Sequence, residues 1–193
     1  AAKKGGFTGI VYMPSTNPPI QNSSDINFIL KKSEKNIVDV FPSGCITKNM
    51  EGKEITEIYD MTQSGSVAFT DDIKSIENAM IMSIALEYTR NFNTLIMVTC
   101  YEDKLCKEGL VNEGETSTLL GMKGIPKIAE EIRVNRDIEL TNYNKGRLHI
   151  STVSSKPSLD LIKKAKKRGI KISSDIAAYQ LILTDDMLLE FNS

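Results

Sequence analysis

Residues 66–98, SVAFTDDIKSIENAMIMSIALEYTRNFNTLIMV, place two short apolar segments on either side of an amphipathic pattern. Ser66–Thr70 and Thr94–Val98 have the length and the β-branched or aromatic content of buried strands. Between them, Ile76–Tyr88 carries apolar residues at the spacing of one helix face. A strand, a helix and a second strand joined by short loops are typical of a parallel sheet with a crossover helix.

The same alternation extends along the whole 193-residue chain, in both directions from this unit. Further strands are predicted over Phe7–Met13, Ile37–Ile46, Leu148–Val153 and Ile170–Ile176. Helices are predicted from Ser23 or Ser24 to Lys35, around Ile55–Tyr59, from Ile125 to about Asn142, over Leu159–Arg168, and after Thr184. Residues 100–123 predict a loop of about twenty residues, which is long for such a connection.

Six strands alternating with helices fit either an open doubly wound sheet or part of an eight-stranded (β/α)8 barrel. The glycine-rich phosphate loop that marks many open sheets is missing, since Gly5 and Gly6 precede their strand instead of following it. Polar residues instead follow the strands, where a barrel places its active site. We therefore expect a TIM-type barrel segment with about six of the eight units. The polar residues that follow the predicted strands are Ser15, Asn17, Thr47, Asp71, Asp72, Glu102, Asp103, Ser154 and Asp175.

The composition excludes several classes of protein. The net charge of −1 comes from 24 basic and 25 acidic residues, which gives no electrostatic reason to expect nucleic acid or an anionic membrane. No apolar run reaches the roughly 18 residues of a membrane span. The three cysteines are odd in number and irregularly spaced, as expected in the reducing cytoplasm. His149 is the only histidine.

Several motifs, in order along nearly the whole chain, together resemble the dihydroorotases of the amidohydrolase superfamily. They are Gly5–Thr8 leading to Met13–Pro19, Ala68–Asp72, Tyr101–Asp103, Glu115–Pro126, Ala129–Glu131, Arg136–Asp137, Leu148–Ser154 and Leu181–Asp185. The resemblance implies a metal-binding (β/α)8 barrel with a small flanking β-sandwich. Residues 1–193 would then be a partial barrel domain containing strands two to seven. The sandwich, the first strand with its His-x-His motif and the last strand with the catalytic Asp are expected outside it, so no catalytic residue is predicted here.

The resemblance also implies the chemistry. The family reversibly hydrolyses dihydroorotate to N-carbamoyl-aspartate with one or two divalent metals, usually zinc, which polarise the amide and generate hydroxide. The carboxylate that bridges the metals in the family falls on the pair Asp71 and Asp72, most closely on Asp72. An equally good interpretation is that this pair caps the helix that follows it.

Two positions that hold ligand histidines in the family carry other residues here. One is occupied by Cys100, which is either a zinc-binding thiolate or, as we expect, a core residue. The other is occupied by Thr152, whose neutral hydroxyl is a poor zinc ligand. His149 lies three residues earlier, so strand alternation predicts that it points to the opposite face as a partly buried strand residue. We expect neither Cys100 nor Thr152 to bind metal.

The substrate side departs from the family as well. Ser15 stands where the family has an asparagine that helps hold the substrate carboxylate, and residues 178–180 replace a Pro-His-His motif. Three hypotheses follow. The chain belongs to a noncatalytic dihydroorotase-like protein that supports aspartate transcarbamoylase, to an active zinc-dependent cyclic amidohydrolase with a rearranged metal site, or to an unrelated α/β binding protein. A cytoplasmic homo-oligomer is expected for the first two.

Overall fold

The computed structural model describes residues 1–190. Its centre is a six-stranded sheet with the order β1-β2-β3-β4-β7-β8, and all of its neighbouring strands are parallel. A separate two-stranded parallel sheet is formed by β5 and β6. The strands are β1 Gly9–Tyr12, β2 Asp39–Gly44, β3 Ala68–Phe69, β4 Leu95–Thr99, β5 Val111–Asn112, β6 Gly124–Ile125, β7 Leu148–Ser151 and β8 Ile172–Ser174.

Helices lie between successive strands of the main sheet. They are α1 Ser23–Ser33, α2 Ile58–Gln63, α3 Ala79–Arg90, α4 Asp103–Cys106, α5 Glu115–Leu119, α6 Ile128–Asn144 and α7 Lys156–Lys167. Short 3-10 helices cover Lys3–Gly5, Lys48–Met50, Ala178–Leu181 and Asp185–Glu190. Among residues 1–190, none of the helices is long and apolar enough to cross a membrane.

The strand order decides between the two predicted architectures. An open doubly wound sheet reverses its order at a switch point, whereas a barrel adds strands in sequence. Here the main sheet grows in one direction from β1 to β8, and β5 and β6 lie outside it as an insertion. The prediction of a TIM-type barrel segment is therefore confirmed.

The long loop predicted over residues 100–123 is wrong, because this segment contains α4, β5 and α5. Backbone hydrogen bonds organise it: the amide of Leu110 donates to the carbonyl of Lys123, and that of Glu113 to Ile125, at 2.9 and 3.0 Å. The elements are two to five residues long. Elements this short show no periodicity that a sequence pattern could reveal.

Several predicted boundaries move because of local capping and turn chemistry. The helix predicted from Ile76 begins at Ala79, because Oδ1 of Asn78 accepts from the amide of Met80 at 2.9 Å and caps it. Ile125 lies in β6 and the next helix begins only at Ile128, after Pro126. The helix predicted after Thr184 is a 3-10 turn.

The core lies on the face of the sheet that the helices cover. Buried strand residues pack there against buried residues of α3, α6 and α7. Along β7 the exposure alternates, so that Leu148 and Ile150 are buried while His149 and Ser151 are half-buried. The polar side chains of β7 therefore lie on the opposite face. The buried core residues that the strands and helices contribute include Phe69, Ile96, Val98, Met82, Leu86, Val134, Ile138 and Ile162.

Candidate functional site at the carboxyl edge of the sheet

The predicted substrate residue and the predicted metal residue contact each other directly. The hydroxyl of Ser15, just beyond β1, donates to Oδ2 of Asp72, just beyond β3. The hydroxyl of Thr99 donates to the backbone carbonyl of Asp72 at 2.8 Å, which ties β4 to the same point. Asp72 itself has a φ of +56°, and its amide donates to Oγ1 of Thr70 at 2.9 Å. The parallel strand ends therefore bring these polar groups together, as the sequence predicts.

Asp71 is a buried anchor between two strand ends. Its Oδ1 accepts from the amides of Ile46 and Thr47 at 2.9 and 3.0 Å, and its Oδ2 accepts from the hydroxyl of Thr47. Burial raises the pKa of Asp71, while these hydrogen bonds act in the opposite direction. The interpretation that the Asp pair caps the following helix is wrong, because Asn78 caps α3.

Cys100 is buried at the end of β4 and points toward α6. Its Sγ donates to Oδ2 of Asp137 across 3.5 Å, and Oδ1 of Asp137 pairs with Arg136 at 2.6 Å. Burial first, and then the negative charge of Asp137, raise the pKa of the Cys100 thiol well above its ordinary value. The thiol is therefore protonated at neutral pH, whereas zinc binds the thiolate. This contact agrees with the prediction that Cys100 is a core residue.

Thr152 occupies a left-handed turn immediately after β7, with a φ of +54°. Its amide donates to Oδ1 of Asp175 at 2.6 Å. His149 Nε2 lies 3.0 Å from Oδ2 of the same carboxylate, and His149 Nδ1 lies 2.8 Å from Oγ of Ser173. Strand alternation stops at Ser151, so it does not relate the directions of His149 and Thr152; instead, Asp175 connects the two residues.

Cys100 and Thr152 line the same cavity, which has a volume of about 380 Å³ and lies between the ends of β4 and β7. Ile125 from the insertion and Lys127 contribute to its wall. Glu130 also lines it and accepts hydrogen bonds from the Ser154 amide and hydroxyl and from the Ser155 amide. The two positions that the resemblance singles out are therefore brought together, although neither presents a charged ligand.

The donor set does not fit the metal centre implied by the resemblance. Within residues 1–190 there is no group of three or more His, Cys, Asp or Glu side chains that could hold a metal ion. Asp71 already accepts three hydrogen bonds within the protein, Cys100 is a protonated thiol and Thr152 has a neutral hydroxyl. Zinc in a hydrolase needs about three imidazole, thiolate or carboxylate ligands. Of the four positions that the resemblance relates to the metal site here, Asp71, Asp72, Cys100 and Thr152, Asp72 alone combines a carboxylate with partial exposure.

Two charged residues of α6 that support the site were not predicted as such. Arg133 is buried, pairs with Glu102 at 2.7 Å and donates to the Ile76 carbonyl at 2.5 Å. Asp137 lies one turn further along and holds Cys100. Arg133 and Asp137 are four residues apart, as are the neighbouring buried residues Val134 and Ile138, so both charged residues belong to the buried face of α6. A charged residue within the apolar stripe of a helix was the available signal.

The fold defines the class of protein to which this chain is similar. The L-hydantoinase (dihydropyrimidinase) of Arthrobacter aurescens matches 94% of the chain with a TM-score of 0.76 and 19% identity, over 42% of its own length. The Saccharomyces cerevisiae dihydroorotase, solved with 5-fluoroorotic acid, matches 96% with a TM-score of 0.68 and 14% identity, over 52% of its length. The chain therefore has the fold of part of the barrel that these two enzymes share.

Sequence comparison specifies the family within that class. The chain belongs to the dihydroorotase-like family, whose model, described as "Dihydro-orotase-like", matches residues 1–158. Dihydroorotases of Acetivibrio thermocellus and Endomicrobium trichonymphae are 40% and 41% identical to it over 194 aligned residues, which include the whole chain. The chain spans 46% of the length of each of these relatives. The predicted family is confirmed, and an unrelated α/β protein is excluded.

Proposed function

We propose that this chain is part of a dihydroorotase-like protein of de novo pyrimidine biosynthesis that has lost the two-metal centre. The family reaction is the reversible hydrolysis of dihydroorotate to N-carbamoyl-aspartate. In this proposal the barrel no longer performs it, and supports aspartate transcarbamoylase in a cytoplasmic homo-oligomeric assembly. The motifs shared with the dihydroorotases support the pathway, and the altered ligand positions support the loss of catalysis.

The observation that carries the proposal is the state of Cys100 and Thr152. Both line one cavity where the resemblance places ligand histidines, and both are engaged with carboxylates of the protein itself. The Cys100 thiol donates to Asp137, and the Thr152 amide donates to Asp175. A protonated thiol is not a zinc ligand, and a neutral hydroxyl is a far weaker donor to zinc than the imidazole nitrogen that the family has at this position.

The direct test measures zinc and turnover on the full-length protein. We expect far less than one zinc per chain and no hydrolysis of dihydroorotate above background. A content of about two zinc ions per chain, as in two-metal hydrolases, with turnover of order 1–10³ per second, would refute the noncatalytic proposal. The partner is tested by mixing the purified protein with aspartate transcarbamoylase, where a stable complex in light scattering is expected and two separate species contradict it.

A restoration experiment distinguishes lost ligands from a generally altered barrel. The double variant Cys100→His with Thr152→His is expected to raise the zinc content of the full-length protein. Cys106→His is the matched control, because Cys106 lines the same cavity but does not occupy a family ligand position. An equal zinc gain in both variants would show that any added imidazole suffices, and would contradict the assignment of the two positions.

A second candidate function is an active zinc-dependent dihydroorotase or related cyclic amidohydrolase with a single, rearranged metal. Asp72 favours it, because its partly exposed carboxylate lies at the carboxyl edge of the sheet beside Ser15. In this alternative Asp72 would be a ligand and Ser15 would contact the carboxylate of dihydroorotate or carbamoyl-aspartate. Asp72→Asn would then abolish both zinc binding and turnover, whereas the noncatalytic proposal expects no change in either.

A further inference from the structure

The turn at Thr152 has a backbone conformation that its own side chain disfavours. Its φ of +54° lies in the left-handed region, where a β-branched residue is a genuine outlier. Such conformations persist only where the surrounding structure imposes them. Because the preceding strand is regular to Ser151, the constraint must come from groups beside the turn.

Asp175 contacts the turn from both sides of Thr152. Its Oδ1 accepts from the Thr152 amide at 2.6 Å, and its backbone carbonyl accepts from the amide of Val153 at 3.0 Å. Its own amide donates to the carbonyl of Ile150 at 3.2 Å. The two backbone bonds continue the pairing of β7 with β8, whereas the bond to Thr152 depends on the carboxylate alone.

The Asp175 carboxylate would be free to rotate without a second contact, because its side chain is 49% exposed. His149 supplies that contact through Nε2 at 3.0 Å, and the imidazole is oriented in turn by Ser173 at Nδ1, 2.8 Å away. His149 and Ser173 are direct neighbours in the register of β7 and β8. The His149 side chain is only 17% exposed, so the ring itself is held in place.

We propose that Asp175 is a positioning residue, oriented by His149, which imposes the left-handed turn at Thr152. The turn sets where residue 152 lies in the wall of the cavity between β4 and β7. This inference rests on the proposed function in one respect only: the proposed function is the reason why the placement of residue 152 matters. The hydrogen bonds it invokes belong to the protein, so they can be tested whether or not the barrel is catalytic.

Amide hydrogen exchange on the full chain tests the first half of the proposal. In Asp175→Ala, the protection of the Thr152 amide is expected to fall about tenfold or more, because the amide loses its acceptor. The Val153 amide is the internal control, since it donates to the backbone of residue 175 and should change less than about twofold. Unchanged protection at Thr152 would overturn the proposal.

A second variant covers the case in which Asp175→Ala loses protection everywhere. Asp175→Asn keeps an oxygen at the acceptor position, so Thr152 is expected to stay protected to within about threefold of the original chain. Loss at Thr152 as complete as in the alanine variant would show that the side-chain oxygen is not what holds the turn, and would overturn the proposal.

The orientation by His149 is tested by its imidazole tautomer, which a purely packing role would not determine. The chain has one histidine, so a long-range ¹⁵N correlation spectrum of the untagged protein contains a single imidazole. At a pH where imidazole is neutral, the proton is expected on Nε2, facing Asp175. In Asp175→Ala the populations should shift toward a mixture. A proton on Nδ1 in the unmodified chain, or no shift in the variant, would overturn this half.

Discussion

The Cys100 thiol donates to the Asp137 carboxylate across 3.5 Å and so joins the end of β4 to α6 inside the core. In metal sites, a ligating histidine usually donates its second N–H to such a carboxylate, which fixes the ring. Here the carboxylate acceptor, Asp137, is present, but a thiol donates to it in place of an imidazole. The buried pair therefore stabilises the packing of α6 on the sheet, and the thiol is directed away from metal chemistry.

This burial predicts a large difference in reactivity among the three cysteines. Burial raises the pKa of Cys45 to about 12 and that of Cys100 well above its ordinary value. Cys106 is partly exposed. Because the thiolate is the nucleophile, we expect Ellman's reagent to label Cys106 first, and Cys45 and Cys100 about 100-fold more slowly.

The Cys106→Ser variant is the control for this labelling. It should remove the fast phase and leave the slow one, and in strong urea the remaining thiols should react together. A fast phase that survives in Cys106→Ser would show that a buried thiol is accessible, and would contradict the placement of Cys100 in the core.

The hydrogen bonds accepted by Glu130 predict that its contribution to the free energy of unfolding depends on pH. Burial acts to raise its pKa, but the hydroxyl and amide hydrogen bonds from residues 154, 155 and 158 outweigh it, so the folded pKa lies below the ordinary 4.5. A carboxylate with a lowered pKa stabilises the fold above its unfolded pKa, and this stabilisation is lost as the pH falls through the folded value. Glu130→Gln should therefore cost about 1–2 kcal/mol at pH ~7 and less below pH ~4.

Urea unfolding at several pH values measures this difference. Glu131→Gln is the matched control, because Glu131 is the next residue of α6 and lies in the same first turn of the helix. It should change the free energy of unfolding by less than about 0.5 kcal/mol. A cost for Glu130→Gln that is the same at every pH would contradict the sign of the pKa shift.

The two adjacent aspartates should respond very differently to the same substitution. In Asp71→Asn the side-chain oxygen can still accept from the amides of Ile46 and Thr47, but the NH2 group then replaces the oxygen that accepts from the Thr47 hydroxyl, and the charge of the acceptor is lost. We therefore expect a loss of about 2–3 kcal/mol. Asp72→Asn should cost less than about 1 kcal/mol, because Asn tolerates the left-handed conformation and the side chain is partly exposed. Chemical denaturation of both variants checks this, and equal costs would contradict the anchoring role of Asp71.

Because the backbone at Thr152 is strained, we predict that a glycine variant at this position is more stable than an alanine variant, which reverses the usual order. A left-handed conformation costs a residue with a Cβ about 1–2 kcal/mol, so Thr152→Gly should be more stable than Thr152→Ala by about 1 kcal/mol. Thr99, within strand β4, is the control position, where the glycine variant should be the less stable one. Midpoints of urea unfolding decide it, and an alanine variant at 152 as stable as the glycine variant would argue against strain.

The parts of the fold that the sequence predicted are those built from long regular patterns. The apolar runs around Ala68, Leu95 and Leu148 identified strands, and the amphipathic segment before Arg90 identified a helix, although Asn78 moved its start. The insertion between Cys100 and Pro126 was missed, because its two-residue strands are stabilised by backbone bonds to each other. Pairing between distant backbone groups leaves no periodic signal in the side chains.

The sequence by itself determined the alternation of strands and helices, the position of polar residues after the strands, and the motifs that identify the family. It also showed that Cys100 and Thr152 are not histidines. Only the tertiary structure decided what these residues do: it placed Asp137 beneath Cys100 and Asp175 beside Thr152. The first contact joins residues that are 37 positions apart in the sequence, and the second joins residues that are 23 positions apart. They depend on how α6 packs on the sheet and on the register of β7 with β8, which no local pattern encodes.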